Sequence, residues 1–272
     1  MRFVAIVITY YPEKELLLSN IRSFIDYVDK VLIWENTPES EKMQFRFIEG
    51  KKIEYCGDGE NSISKALNYA WKYAENNGFD FLLTMDQDSR FNNFDFYKDS
   101  VLTHSTCHGV CIWTPEIEGY SISCLSDIIE IKMPITSGMI LPVKALNIIG
   151  GWNEFFQIDS VDDDFSLRAH SFGIKTFLIK GALMKQCFGN PVVRRFMGHE
   201  INLRNYSSRR LYEIYRNNLI LIRKYPQFDY IKKNFRNVWI KQILWILLFE
   251  KKKFYKLISI IRGCFVGLTI KI

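Results

Sequence analysis

Phe3–Thr9 is apolar and β-branched with no polar alternation, the pattern of a strand buried on both faces. Leu17, Ile21, Phe24, Ile25 and Val28 then fall at helical spacing, and residues 31–34 form a second short apolar run ending at Glu35-Asn36-Thr37-Pro38. Ile63, Ala66, Leu67, Ala70 and Ala74 make another helical stripe, closed by Asn77-Gly78. Residues 79–84 read as a third buried strand, with Asp86 just past its end. Strand, helix, strand, helix, strand predicts right-handed βαβ units and a mainly parallel sheet. Ligands of such sheets bind beyond the carboxyl ends of the strands, where the polar residues after Thr9, Trp34 and Thr84 would collect.

The second half is less regular. Residues 110–113 and 135–141 read as strands, with Gly138 permitting close backbone approach inside the latter. Residues 142–149 read as a short helix stopped by Gly150-Gly151, residues 164–171 as a helix stopped by Gly173, and residues 174–179 as a last strand. The fold class expected is α/β, a Rossmann-like, mainly parallel mixed sheet with helices on both faces. Beyond about Asn190 the chain turns basic, aromatic and helical. The expected division is a sheet domain over 1–222 and a basic amphipathic helical tail over 223–272.

Composition adds little to this and charge adds more. At 48% hydrophobic and 24% charged, the 272 residues are ordinary for a globular chain that buries a sizeable core. The net charge of +6 hides an asymmetry: residues 223–272 hold twelve Lys and Arg against Asp229 and Glu250, so they carry +10 and the remainder −4. A mildly acidic body with a basic, aromatic tail implies an anionic partner for the tail. The apolar run at 243–249, followed by Lys251-Lys252-Lys253, is far below the roughly 20 residues of a spanning helix. It fits a helix lying in a membrane interface, and equally an amphipathic helix packed on the body. The apolar opening is too short for a signal h-region, so the six cysteines are expected to be reduced thiols of a cytoplasmic protein.

Two acidic groups carry candidate chemistry. Asp86 and Asp88 directly follow a buried strand, where a hard divalent cation with substrate phosphates would be presented. Asp159, Asp162, Asp163 and Asp164 lead into a helix; capping and the helix dipole explain one or two of them. The others repel one another, which raises carboxylate pKa values and makes a usable base. Arg209, Tyr212 and Arg216 lie near one helical face and could clamp a diphosphate. The run His104, Cys107, His108, Cys111 has zinc-like spacing but reads better as buried thiols and ordinary histidines. No phosphate-binding Gly-x-x-x-x-Gly-Lys loop, Gly-x-Gly-x-x-Gly or nucleophile elbow occurs.

Several of these segments together resemble a known family. Ile6-Val7-Ile8-Thr9-Tyr10-Tyr11-Pro12, Ala66-Leu67-Asn68 and Met85-Asp86-Gln87-Asp88-Ser89 look like the opening strand, helix and DxD of family 2 glycosyltransferases. Thr136-Ser137-Gly138, Gly151-Trp152-Asn153-Glu154, the Phe156-to-Asp162 segment and Leu167-Arg168 resemble their acceptor side, continued by Tyr212 and Arg216-Asn217-Asn218. The particular likeness is to bacterial rhamnosyltransferase-like members and covers about residues 4–224. It implies a GT-A fold, Mg²⁺ or Mn²⁺, and inversion at the anomeric carbon. The implied substrates are a nucleoside-diphosphate-sugar donor and a polyprenyl-diphosphate-linked saccharide acceptor.

By this resemblance Asp88 is the metal ligand and Asp86 its partner toward metal or ribose. Thr9, Tyr11, Glu13 and Asn36 line the base and ribose pocket, Arg209 assists the diphosphate, and Asp162 is the catalytic base. Two departures stand out: no glycine lies at Ser62, and Gln186-Cys187-Phe188-Gly189-Asn190 stands where the family often has a histidine before Gly-Asp. The expected setting is O-antigen or capsule synthesis, peripheral on the cytoplasmic face of the inner membrane, with no nucleic acid as partner. The rival readings are a sugar-phosphate nucleotidyltransferase and a non-catalytic membrane- or nucleic-acid-binding protein. The first lacks its Gly-rich loop after the opening strand, and the second leaves both acidic groups unexplained.

Overall fold

The computed structural model describes residues 1–120, 124–186, 192–196 and 198–271. They form two compact units, Met1–Cys187 and Phe188–Ile272. The first opens with β1 (Phe3–Thr9), α1 (Lys14–Arg22), β2 (Lys30–Glu35), β3 (Ile53–Cys56), α2 (Ile63–Asn76) and β4 (Phe81–Asp86). The four strands lie in the order β3-β2-β1-β4, all parallel. Phe3, Ala5 and Val7 face one core with Leu17 and Ile21 of α1. Val4 and Ile6, between them, are equally buried, as are Ala66, Leu67, Ala70 and Ala74 of α2, which packs on β1 and β4. A strand covered on both faces has no reason to alternate, which is why its sequence does not.

The rest of the unit is β5 (Arg90–Phe91), α3 (Phe94–His108), β6 (Ile112–Ile117), β7 (Ile128–Ile131), β8 (Ile140–Pro142), α4 (Val143–Ile149), α5 (Val161–Ser171) and β9 (Thr176–Lys185). The sheet continues β8-β6-β9-β5, with β7 also on β9. Here β8 is antiparallel to β4 and β6, and β5 and β7 are antiparallel to β9, so the sheet is mixed. Strands β3, β5 and β7 escape a hydrophobic reading because they are short and mostly half-buried or exposed.

Two expectations are corrected. The strand read at 135–141 is strand only at Ile140–Pro142; residues 136–138 form a turn, with Gly138 at φ +83°. A Cβ there would lie 2.7 Å from the Met184 sulfur and the Pro115 ring, so only glycine fits without rearrangement. Helix α5 begins at Val161, so Asp162 is inside its first turn, not ahead of it.

The second unit holds an antiparallel hairpin, β10 (Val192–Phe196) with β11 (His199–Leu203), and helices α6 (Ser208–Lys224), α7 (Asp229–Phe249) and α8 (Lys253–Thr269). The Ser207 hydroxyl accepts from Arg210 N and caps α6. Tyr215 stacks on Trp239 at 4.7 Å, and Leu211, Tyr215, Ile246 and Ile260 make the core of the bundle. The expected division at 222/223 falls in the last turn of α6. No helix of the described residues is long and apolar enough to cross a membrane.

Candidate active site

The parallel register sets the site. Ile8 pairs with Trp34 on one side and Asp86 on the other, so β1, β2 and β4 end level and their following residues share one edge. Gln87 ties two of these ends: its Oε1 accepts from Tyr10 N at 2.7 Å and its Nε2 donates to Tyr10 O at 3.2 Å. From below, the wholly buried Asn20 of α1 donates through Nδ2 to Asp86 O at 2.8 Å and to Ser89 O. The turn carrying both aspartates is thereby fixed before any ligand arrives.

The 136–138 turn supplies the next layer. Gly138 N donates to Thr84 O at 2.6 Å, and Tyr97 Oη donates to Gly138 O at 3.0 Å, pinning the turn onto the end of β4. Around Asp86 a closed ring results. Asp86 N donates to Ser137 Oγ at 3.0 Å, Ser137 Oγ donates to Ser89 Oγ at 2.9 Å, and Ser89 Oγ donates to Gln186 Oε1. Gln186 Nε2 then donates to Asp86 Oδ2 at 3.1 Å. Next to Ser137, the Thr136 hydroxyl donates to Oδ1 of Asp162.

Four carboxyls here sit above their ordinary pKa. Burial, then the charges of Asp162 and Asp88, push Asp86 up to about 7, against the Gln186 hydrogen bond. Burial raises Asp88 and Asp162, the latter opposed by its bonds to Thr136. Asp163 is pushed up to about 7 by burial and by its acidic neighbours. No salt bridge among the described residues includes any of the four, whereas Asp164 meets Arg168 at 3.0 Å. Asp86, Asp88 and Asp162 are therefore brought together as an uncompensated acidic group.

No family model matches the chain. Over 241 residues it is 26% identical to the dTDP-rhamnosyl transferase RfbF of Shigella flexneri, covering 81% of this chain and 79% of that one. Its fold is similar to a crystal structure of S. aureus TarS, with TM-score 0.60 and 15% identity over 99% of this chain and 81% of that one. The chain has a GT-A fold and resembles the rhamnosyltransferase-like members of family 2 glycosyltransferases. TarS in complex with UDP-GlcNAc matches with TM-score 0.55 and 17% identity over 82% of this chain. GalNAc-T7 with UDP, GalNAc and Mn²⁺ matches with TM-score 0.60 and 8% identity, also over 82%. The chain spans 66% and 47% of those two chains, and at such identities they show the fold alone.

On the side of β1 and β2, the chain groups Thr9, Tyr11 and Asn36. Thr9 Oγ1 donates to Trp34 O at 3.1 Å, and Asn36 Oδ1 accepts from Trp34 Nε1 at 3.0 Å; both residues are buried supports. Tyr11 sits at φ +45°, its N donating to Thr37 Oγ1 at 2.9 Å and its ring edge-on to Tyr10 and Phe45. Glu13 is exposed at the start of α1. Arg209 belongs to the second unit, where its exposed guanidinium lies 3.3 Å from Glu213.

A divalent cation suits the first-unit donors in one mode only. Among the described residues no three His, Cys, Asp or Glu gather into a cage. Asp86 and Asp88 offer hard oxygens that repel each other and meet no cation, which is the setting of an ion that completes its shell with phosphates and water. The sequence reading missed Asn20 and the ring through Ser89, Ser137 and Gln186. Asn20 had a signal: it lies on the apolar stripe of Leu17, Ile21 and Phe24, where a polar residue needs a reason.

Proposed function

We propose that this glycosyltransferase moves rhamnose or a similar hexose from a nucleoside-diphosphate-sugar to a hydroxyl of a polyprenyl-diphosphate-linked saccharide. The transfer inverts the anomeric centre and serves O-antigen or capsule synthesis at the cytoplasmic face of the inner membrane. The observation that carries this reading is the 136–138 turn, which holds the helix-borne Asp162 through the Thr136 hydroxyl and the strand-borne Asp86 through the Ser137 hydroxyl. Likeness to a dTDP-rhamnosyl transferase supports both the sugar and a nucleoside-diphosphate donor.

In this reading Asp162 removes the proton of the acceptor hydroxyl as that oxygen bonds to the anomeric carbon and the bond to the diphosphate breaks. Its raised pKa makes it a stronger base than an ordinary aspartate, and its bonds to Thr136 hold the carboxylate in place. Asp86 and Asp88 would hold Mg²⁺ or Mn²⁺, which would supply positive charge to neutralise the departing diphosphate. Tyr11 and Glu13 line the base and ribose, with Thr9 and Asn36 supporting that wall. The diphosphate role of Arg209 rests on guanidinium chemistry alone.

A thermal-shift panel of nucleotide-sugars with Mn²⁺ tests the reading. Saturating the right donor at about 100 times its Kd stabilises by about 2.7 kcal/mol, a clear shift that Asp88→Ala abolishes. If no nucleotide-sugar or nucleoside diphosphate shifts the parent, the donor assignment fails; an unaltered shift in Asp88→Ala removes the cation.

A further inference from the structure

The sequence fits residues 239–249 of α7 equally to an interfacial helix and to one packed on its neighbours, and much of that segment is occupied. Trp239 stacks on Tyr215, Ile246 is fully buried, and Ile243 packs on the same cluster. Helix α8 is different. Its Gly263 and Gly267 let it approach α6 so closely that a Cβ would lie 2.5 Å from Tyr212 O and 2.6 Å from Arg216 O. Its opposite side carries Phe254, Ile258, Ile261, Phe265 and Leu268 at intervals of four and three, one face along the helix. They are 72%, 38%, 67%, 67% and 57% exposed, an apolar stripe about 20 Å long.

Charge decides what can cover that stripe. Lys251, Lys252 and Lys253 stand at its start, Arg262 beside it and Lys271 at its end. The sequence has no acidic residue after Glu250, and Glu250 is buried against Lys256 at 2.6 Å. A second copy presenting the same face would bring positive charges against positive charges. Anionic lipid headgroups complement them, while long basic side chains keep their charged ends at headgroup level and leave the stripe to the acyl boundary.

We propose that the outer face of α8 lies flat in the interface of an anionic bilayer and is the membrane-docking surface of this chain. The inference deepens the membrane-linked part of the proposed function and rests on it. The test is sedimentation of the full chain with vesicles of phosphatidylcholine alone, and of phosphatidylcholine mixed equally with phosphatidylglycerol. The parent binds the anionic vesicles, less so at high salt. Ile261→Gln with Phe265→Gln weakens binding at least about tenfold at unchanged melting temperature, since both side chains are exposed. Leu247→Gln with Leu248→Gln, on the exposed side of α7, changes it less than about threefold.

Failure of the parent to bind, equal binding by the α8 variant, or an equal loss in the α7 variant overturns the proposal. So does equally tight binding to neutral vesicles. A dimeric parent that the α8 variant makes monomeric, with vesicle binding unchanged, assigns the stripe to a second copy instead. Donor binding measured without vesicles reads the catalytic proposal separately, so either can fail alone.

Discussion

At the start of α5, Asp164 is 1% exposed and its carboxylate meets Arg168 at 3.0 Å; at the end of β4, the Asp86 carboxylate meets, among the described residues, only the amide of Gln186. Sequence shows both as members of acidic runs, and the dipole of α5 favours its acids as a group. Packing separates them. A buried carboxylate with its own cation has its charge met inside the fold and is structural. Asp86 and Asp162, half-buried and with no cation partner among the described residues, sit at raised pKa values and leave a demand for positive charge or for a proton. The useful distinction is therefore which acids lack a partner, and that is a property of three dimensions.

Asp162→Asn breaks this comparison at its strongest point. It keeps the shape and the contact with Thr136 but loses the base, so transfer falls by about 10²–10⁴ while donor affinity stays at the parental value. Near-parental turnover would move the base elsewhere in the group. Asp164→Asn has the next largest effect, and of the other kind. Removing one charge of a buried pair costs about 3 kcal/mol, read as a lower urea midpoint at unchanged m-value. Turnover per folded molecule stays parental; a selective loss of rate would place Asp164 in the chemistry.

The sequence carried much of this and lacked a specific part. Residues on β1, β2 and β4 are legible because they are buried on both faces, and a continuous apolar run can then end at only one polar edge. The 136–138 turn was read as strand because Ile135, Met139, Ile140 and Leu141 are apolar around it; only Gly138 hinted at the left-handed step that breaks the run. The ring around Asp86 was illegible, since Ser89, Ser137 and Gln186 are ordinary polar residues 48 and 97 positions apart. Gln186→Ala probes that ring. Losing a half-exposed hydrogen bond to a carboxylate is worth about 1 kcal/mol, or about fivefold weaker donor binding with Mn²⁺. An unchanged Kd would leave the ring a purely structural feature.

Asp163 is the closest test, because it shares the raised pKa of Asp86 and the helix of Asp164. Its carboxyl is pushed to about 7 by burial first, then by Asp162, Asp159 and Asp164. In the unfolded chain it titrates near about 4. Between those values the folded protein holds a proton the unfolded chain has lost, so this group's stabilisation is full below about 4 and vanishes as pH rises through 7. Stability of the metal-free protein therefore declines with rising pH in that window, each such group contributing at most about 1.4 kcal/mol per pH unit. Asp163→Asn is neutral at every pH and removes this share: its melting temperature falls less between pH 5 and 8 than the parent's and exceeds it at pH 8. Asp86, with its own pKa near 7, leaves a residual slope. Transfer stays within about threefold, because the base at Asp162 keeps its contact with Thr136. A melting profile parallel to the parent's would show that Asp163 is already ionised in the fold, and a collapse of transfer would make it, and not Asp162, the base.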